Sequence, residues 1–187
     1  MCAVRPEIRP AAAEKGAPME TVEPQRGTAT TEHEPVELDP IPEVEEAFRE
    51  IEVAAPRVGI IMGSASDKPV MQPAGEELRQ RGIRFEVRVI SAHRDPDAVA
   101  DYARNAHMRG LRAIIAGAGM SAALPGVVAA HTDLPVIGVP IKAKSTVADG
   151  LDALLSVVQM PPGVPVACVA INGARNAAVL AARILSC

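Results

Sequence analysis

Four short stretches of this chain hold the residue types from which a site for an anionic, hydroxylated ligand can be built. In Gly63-Ser64-Ala65-Ser66-Asp67, two serines precede a helix start marked by Pro69. Ser64 and Ser66, with the free amides of that helix start, can hold phosphate oxygens, aided by the helix dipole. Asp67 can cap the helix or accept hydrogen bonds from sugar hydroxyls. In Ser91-Ala92-His93-Arg94-Asp95-Pro96, Arg94 offers a planar fork of donors to a phosphate or carboxylate. His93, beside it, is of the type that takes and returns a proton near neutral pH. Gly117 and Gly119 frame a stretch where backbone can approach a ligand closely. The fourth stretch holds Lys142, Lys144 and Ser145.

Each pattern also has a purely structural reading. Ser and Asp before a helix are often only caps, an exposed loop accounts for His93, and glycine after a strand is common. Lys142 and Lys144 fit a solvated loop. His33, His107 and His131 read as solvated or structural, and Cys168, within an apolar run, as a small core residue.

The elements that must position these stretches follow from periodicity. Apolar strand-like runs at 57–62, 85–90, 112–116, 135–139 and 164–170 alternate with helix-period segments at 69–81, 97–108, 122–131, 149–158 and 175–185. Strict alternation with continuously apolar strands means a parallel sheet covered on both faces. The expectation is a doubly wound α/β domain, a three-layer sandwich with a central parallel sheet, flavodoxin-like or Rossmann-like. In such sheets the loops after the carboxyl ends of the strands form the ligand crevice, and all four stretches fall there.

Composition divides the chain near residue 56. Residues 1–56 carry 13 acidic against 5 basic side chains and 8 of the 17 prolines, whereas residues 57–187 net +4. Few large apolar groups stand between residues 6 and 42, so burial cannot offset ordering entropy and disorder is expected there. Only 42–53 has helical spacing, through Val44, Phe48 and Ile51, consistent with a transient acidic helix. A solvated tail, or an upstream start with Met19 as another initiator, is the plain reading of 1–56; docking is the other.

Several classes are set aside. No apolar run approaches the roughly 20 residues of a membrane helix, and the N-terminus has neither a secretory pattern nor the acid-poor composition of a transit peptide, so a cytoplasmic protein is expected. Three cysteines without a CxxC spacing indicate neither a disulfide framework nor a zinc site. One Tyr, two Phe and no Trp leave little for base stacking, so a small anion fits better than nucleic acid.

Taken in order, GIIMGSASDKPVMQPAGEEL, EVRVISAHRDPD, AIIAGAGMSAALPGVVAAHTDLPVIGVP and GLDALLSVVQMPPGVPVA resemble the PurE family of de novo purine biosynthesis, over about residues 57–185. The pair GSxSD and SAHR at this distance is the specific part. The resemblance implies a catalytic domain at 57–187 that makes 4-carboxy-5-aminoimidazole ribonucleotide. Class I members move a carboxyl group from N5 of the aminoimidazole ribonucleotide carbamate to C4; class II members add carbon dioxide directly. It implies no metal or organic cofactor, an octamer, the acid/base role at His93, phosphate and ribose contacts at Ser64, Asp67 and Arg94, and Ser66, Ser91 and Gly119 lining the same pocket. The mutase is the first expectation and direct carboxylation the alternative.

The chain departs from the class I pattern in three places. Where class I members read GAGGAAHLPG, this chain has Met120 at the fourth position and Ala123 in place of the histidine. The 142–150 loop is about two residues longer than usual in that class, which fits either a lid over an anionic substrate or simply a longer loop. Cys187 follows the last helix directly, where family members continue into another long helix that packs across subunits. A non-catalytic module holding a nucleotide phosphate in the same loops, or a paralogue with another substrate, completes the alternatives.

Overall fold

The computed structural model of the chain describes residues 55–187. The expected disorder over 6–42 and the helix-period segment 42–53 lie outside the described residues.

Five strands form one sheet: β1 (Val58–Met62), β2 (Phe85–Val89), β3 (Ala113–Gly119), β4 (Val136–Ile141) and β5 (Ala167–Cys168). All neighbours run parallel, in the order β2-β1-β3-β4-β5. Each crossover carries a helix: α1 (Lys68–Gln80), α2 (Pro96–Arg104), α3 (Leu124–Ala129) and α4 (Leu151–Val158), with α5 (Ala174–Leu185) closing the fold. This is the expected doubly wound sandwich, and its strand order reverses direction at β1, which places a crevice beyond the carboxyl ends of β1 and β3.

The burial of the strands explains the layering. β1 and β4 are buried along their whole length, and β3 at all but its last residue. One sheet face packs Ile60, Leu78, Ile115 and Ile137 with α1 and α5. The other packs Ile61, Val99, Ile114 and Val157 with α2, α3 and α4. The inward face of α5 is Ala174, Ala177, Ala178 and Ala181, all fully buried, so that helix lies close to its neighbours without large side chains. Glu77 of α1, itself buried, binds Arg81 at 2.7 Å and Arg175 of α5 at 2.8 Å, clasping the two helices.

Three strands and one helix differ from the sequence expectation. β5 is two residues rather than seven; Pro165, which supplies no N–H to the ladder, stands just before it, and Val169 still donates to the Gly138 carbonyl at 3.1 Å beyond it. β3 runs to Gly119 rather than Ala116, since Gly117–Gly119 pair with Val139–Ile141. β2 is an edge strand, half-buried at Phe85 and Glu86 and exposed beyond, so it is not covered as continuous apolarity implied. The expected single helix to residue 108 stops at Arg104. Asn105 Nδ2 there donates to the Asp101 carbonyl at 2.9 Å, and a separate 3-10 turn, His107–Arg109, ends on left-handed Gly110.

Candidate active site

The 63–67 loop is a closed hydrogen-bonded unit. Ser64 precedes a short 3-10 turn, Ala65–Asp67, and its Oγ accepts from the Ser66 amide at 3.3 Å, while its own amide donates to Asp67 Oδ2 at 3.1 Å. Ser66 Oγ lies 2.8 Å from Ser64 Oγ and 3.4 Å from Asp67 Oδ1. Of the two predicted roles of the serine-aspartate motif, the structure contains the cap: Ser64 accepts from the Ser66 amide and Asp67 closes the box.

Asp67 is only 8% exposed. Burial pushes its carboxyl above the ordinary aspartate value, and the Ser64 amide, the Ser66 hydroxyl and the Arg94 charge pull the other way. The buried carboxyl closes the capping box through the Ser64 amide, and its raised pKa makes it a candidate site residue as well.

The 91–95 turn lies beside this loop because β2 and β1 are register-paired up to Val89 and Met62, and the Ile90 amide donates to the Met62 carbonyl at 2.9 Å. The Ser91 carbonyl accepts from the amides of Arg94 and Asp95 at 3.2 and 2.9 Å, forming a tight turn that leaves His93 and Arg94 exposed. Asp95 caps α2 through the Ala98 amide at 3.2 Å. Arg94 Nη2 donates to the Gly63 carbonyl at 2.6 Å, tying the His93 turn to the serine loop. Among the described residues the Arg94 side chain makes no other hydrogen bond, so the rest of its five-donor fork is unpaired there.

The glycines at the end of β3 have a packing explanation that the sequence did not show. A Cβ on Gly117 would run into Met71 of α1, and one on Gly119 would lie 2.9 Å from the Ile141 carbonyl. Gly119 sits half-buried at the carboxyl end of β3, two residues beyond the Gly117–Met62 pair with β1 and opposite Ile141 of β4. Met120 follows it at φ 56, in the left-handed region, where the class I pattern has glycine. Ala123, at the position of the second family histidine, precedes α3 and makes no side-chain cap.

The 142–150 loop leaves β4 adjacent to that end of β3, and Gly119 is near Ala143. Lys142 Nζ is bound to Asp149 Oδ1 at 2.6 Å, and that lysine holds the Asp149 carboxyl below its usual value. Lys144 and Ser145 are exposed. Sequence reasoning missed Asn172: its Oδ1 accepts from the Lys142 amide at 2.9 Å, and its own amide donates to the Pro140 carbonyl at 2.8 Å, anchoring the loop's start. The signal was available in Asn172-Gly173 after the last strand, a pair that favours the left-handed geometry seen at Asn172, φ 57.

His107 and Cys168 lie outside this ring, and His131, just past the end of α3, bonds the Val127 carbonyl of that helix through Nδ1 at 2.8 Å, a structural contact. Among the described residues no cluster of three His, Cys, Asp or Glu side chains is placed to hold a metal ion. No described helix is long and apolar enough to cross a membrane.

Residues 57–187 match a family described as AIR carboxylase. The N5-carboxyaminoimidazole ribonucleotide mutase of Pyrococcus abyssi is 59% identical over 136 residues, covering 73% of this chain and 77% of that protein. The protein of the same name from Thermotoga maritima is 61% identical over 130 residues, covering 70% and 75%. Among solved structures, Treponema denticola PurE superposes with a TM-score of 0.62 at 34% identity, over 70% of this chain and 80% of that one.

Proposed function

As the chain belongs to the AIR carboxylase, or PurE, family, we propose that it is the isomerase of purine biosynthesis that converts N5-carboxyaminoimidazole ribonucleotide to 4-carboxy-5-aminoimidazole ribonucleotide. The observation that best supports a working site is the 2.6 Å bond from Arg94 to the Gly63 carbonyl, which joins an exposed histidine and a free cationic fork to a serine loop suited to phosphate.

In this reading the substrate phosphate takes Ser64, Ser66 and Arg94, the ribose hydroxyls donate to Asp67, and Ser91 and Gly119 line the same pocket. The N5–carboxyl bond breaks, releasing carbon dioxide beside the ring, and N5 gains a proton. C4 then attacks the trapped carbon dioxide and gives up its own proton. The two proton steps cancel, so His93 alone serves both as acid and as base. Holding carbon dioxide against C4 within small walls supplies much of the rate. The catalytic domain runs over 57–187, and 1–56 is an acidic extension that takes no part in the chemistry. The enzyme works in the cytoplasm without metal or organic cofactor.

Assembly into a homo-oligomer, an octamer in the family pattern, is part of the proposal. It is supported by Leu151, Leu155 and Val158, which leave an exposed apolar stripe along α4, and by the exposure of His93 and Arg94 in a single copy.

The test supplies the full-length protein separately with the N5-carbamate ribonucleotide and with the unmodified ribonucleotide plus bicarbonate, following the C4 carboxylate. Product from the first alone is expected, and makes the histidine absent at Ala123 dispensable. Product from the second without ATP would replace the mutase by a carboxylase. His93→Asn is expected to retain ribonucleotide affinity while kcat falls by about 10²–10⁴; full turnover in that variant overturns the role given to His93.

A further inference from the structure

β2 ends the sheet, and among the described residues its outer edge is unpaired. The direction of its backbone groups follows from its contact with β1. The Arg84 carbonyl accepts from the Val58 amide at 3.2 Å, and the Ile90 amide donates to the Met62 carbonyl at 2.9 Å, so residues 84 and 90 turn their peptide groups towards β1. These groups alternate along a strand, so 86 and 88 do the same, and 85, 87 and 89 present theirs to the open edge. Val87 and Val89 are also 47% and 44% exposed. Edges left this way are ordinarily covered, charged or paired.

The side chains alternate with the same period. Phe85, Val87 and Val89 lie on the α1 face, where Phe85 packs against the core and, with Val87, lines a groove beside α1. The charged groups around that groove are Lys68, Glu76 and Arg79. The other face carries Arg84, Glu86 and Arg88, together with Arg109 from the 3-10 turn after α2. Glu86 is half-buried; one of its oxygens accepts from Arg109 at 3.3 Å, and the other stands 3.7 Å from the exposed Arg88, beyond hydrogen-bond reach. Arg84 is turned away to the Ala55 carbonyl at 3.1 Å.

Taken antiparallel, Phe85-Glu86-Val87-Arg88-Val89 is its own complement. Centred on Val87, a second copy sets Val87 against Val87 and Phe85 against Val89 on one face, and Glu86 against Arg88 on the other. The backbone agrees with this register. Residues 85, 87 and 89, whose groups face outward, become the hydrogen-bonded pairs, and Glu86 meets Arg88 at a non-hydrogen-bonded pair, where side chains stand closest. The two Glu86 and two Arg88 then alternate in sign around a square. Centring the pair one residue either way sets Glu86 against Glu86 or Arg88 against Arg88, which like-charge repulsion opposes.

We propose that the outer edge of β2 is a docking surface for a second copy of this chain, joined by antiparallel β2–β2 pairing about a two-fold axis at Val87. The contact uses the same patch on both copies, so it closes at two, and backbone pairing gives affinity while the charged face fixes register. It lies at the opposite end of the sheet from α4, which packs on β4 and β5, so the two surfaces can be occupied together. The same register sets Ile83 and Arg84 of one copy beside Ser91 and Ile90 of the other, where β2 leads into the His93 turn. The proposal stands whether or not the reaction assigned above is correct.

The test uses the full chain with Cys2, Cys168 and Cys187 replaced by serine, carrying either Val87→Cys or Val89→Cys. In the paired dimer the Cα atoms of the two 87 positions stand about 5.5 Å apart, within disulfide reach. Those of the two 89 positions, four residues out of register, stand about 13 Å apart. The two valines are similarly exposed, so random collision treats them alike. Mild oxidation is expected to give a two-chain disulfide at 87 at least about tenfold faster than at 89, and Arg88→Glu, which sets acid against acid, to slow it at least about tenfold. Equal rates at 87 and 89, an unchanged rate in Arg88→Glu, or no two-chain disulfide at 87, as when another segment or protein covers the edge, each overturns the proposal. Hydrogen exchange on the unmodified full chain gives an independent reading. The amides of Val87 and Val89 should exchange at least about tenfold more slowly than in Arg88→Glu, with a smaller change at Glu86 and Arg88, whose amides already face β1. Exchange at 87 and 89 that is alike in both proteins, or a change of equal size at all four amides, overturns it equally.

Discussion

Asp67 shows how the site and the stability of the fold oppose each other at a single residue. Its carboxyl is raised above the ordinary value of 3.8, first of all by burial. A raised value means that the fold prefers the protonated form: the preference is in full force below pH 3.8 and is lost as pH rises through the folded value. At neutral pH the protein therefore carries an ionised group that its surroundings disfavour. Asp67→Asn, which keeps an oxygen for the Ser64 amide, is expected to raise Tm at pH 7, to give no gain near pH 3, and to weaken ribonucleotide binding; calorimetry at the two pH values and a binding titration check all three. Met120 carries a separate strain. A non-glycine side chain at φ 56 costs about 1–2 kcal/mol, and glycine gives back part of that through its freer unfolded chain, about 0.5–1 kcal/mol. Met120→Gly should thus raise Tm by about 1–4 °C in a domain of this size. Both effects were only half legible. The motif identified Asp67, but not its burial or the Arg94 charge that acts on it from 27 positions away. The strain at Met120 was foreshadowed only by the glycine that the class I pattern has there.

At the scale of elements, local periodicity carried the strand and helix order because each strand is flanked by its own crossover helix, so near neighbours in sequence decide the pattern. It failed where distant backbone decides. β3 extends through three small residues that have no strand propensity of their own, because β4 pairs with them, and β5 is short, with Pro165, which lacks a donor, just before it. Nothing in a local window shows β2 to be an edge. The clasp between α1 and α5 is equally invisible, since Glu77 and Arg175 stand 98 positions apart. Arg81, then Arg175, hold the Glu77 carboxyl below its usual 4.5. A lowered value means stability that is present above pH 4.5 and lost as pH falls through the folded value. Glu77→Gln is therefore expected to lower Tm by several degrees at pH 7 and to converge on the parent protein as the pH is taken towards 3. A constant gap across that range would mean that packing, not charge, holds the helices together.

At the scale of the whole molecule, the question is what a single copy leaves undone. The 63–67 loop is internally satisfied and Asp67 is buried, yet His93, Arg94 and Ser66 all lie open to solvent. Carbon dioxide released at such a rim would escape before C4 could capture it, so the proposed chemistry needs a wall that the described residues of one copy leave open. The same copy exposes Leu151, Leu155 and Val158 at intervals of four and three along α4, with Val147 beyond them. These spacings put the three on one face of the helix. Leu155 is 49% exposed, so a charge there is tolerated by the isolated fold but not by a contact between copies. Leu155→Glu is expected to leave the far-UV circular dichroism unchanged, to shift the mass by light scattering at micromolar concentration from an oligomer towards a monomer, and to lower kcat with it, activity recovering as concentration drives reassembly. Activity that is lost without any change in mass would place Leu155 at the site rather than at an interface. A parent protein that runs as a monomer and is fully active would show that each copy encloses its own carbon dioxide, with the 142–150 loop as the remaining candidate for the wall.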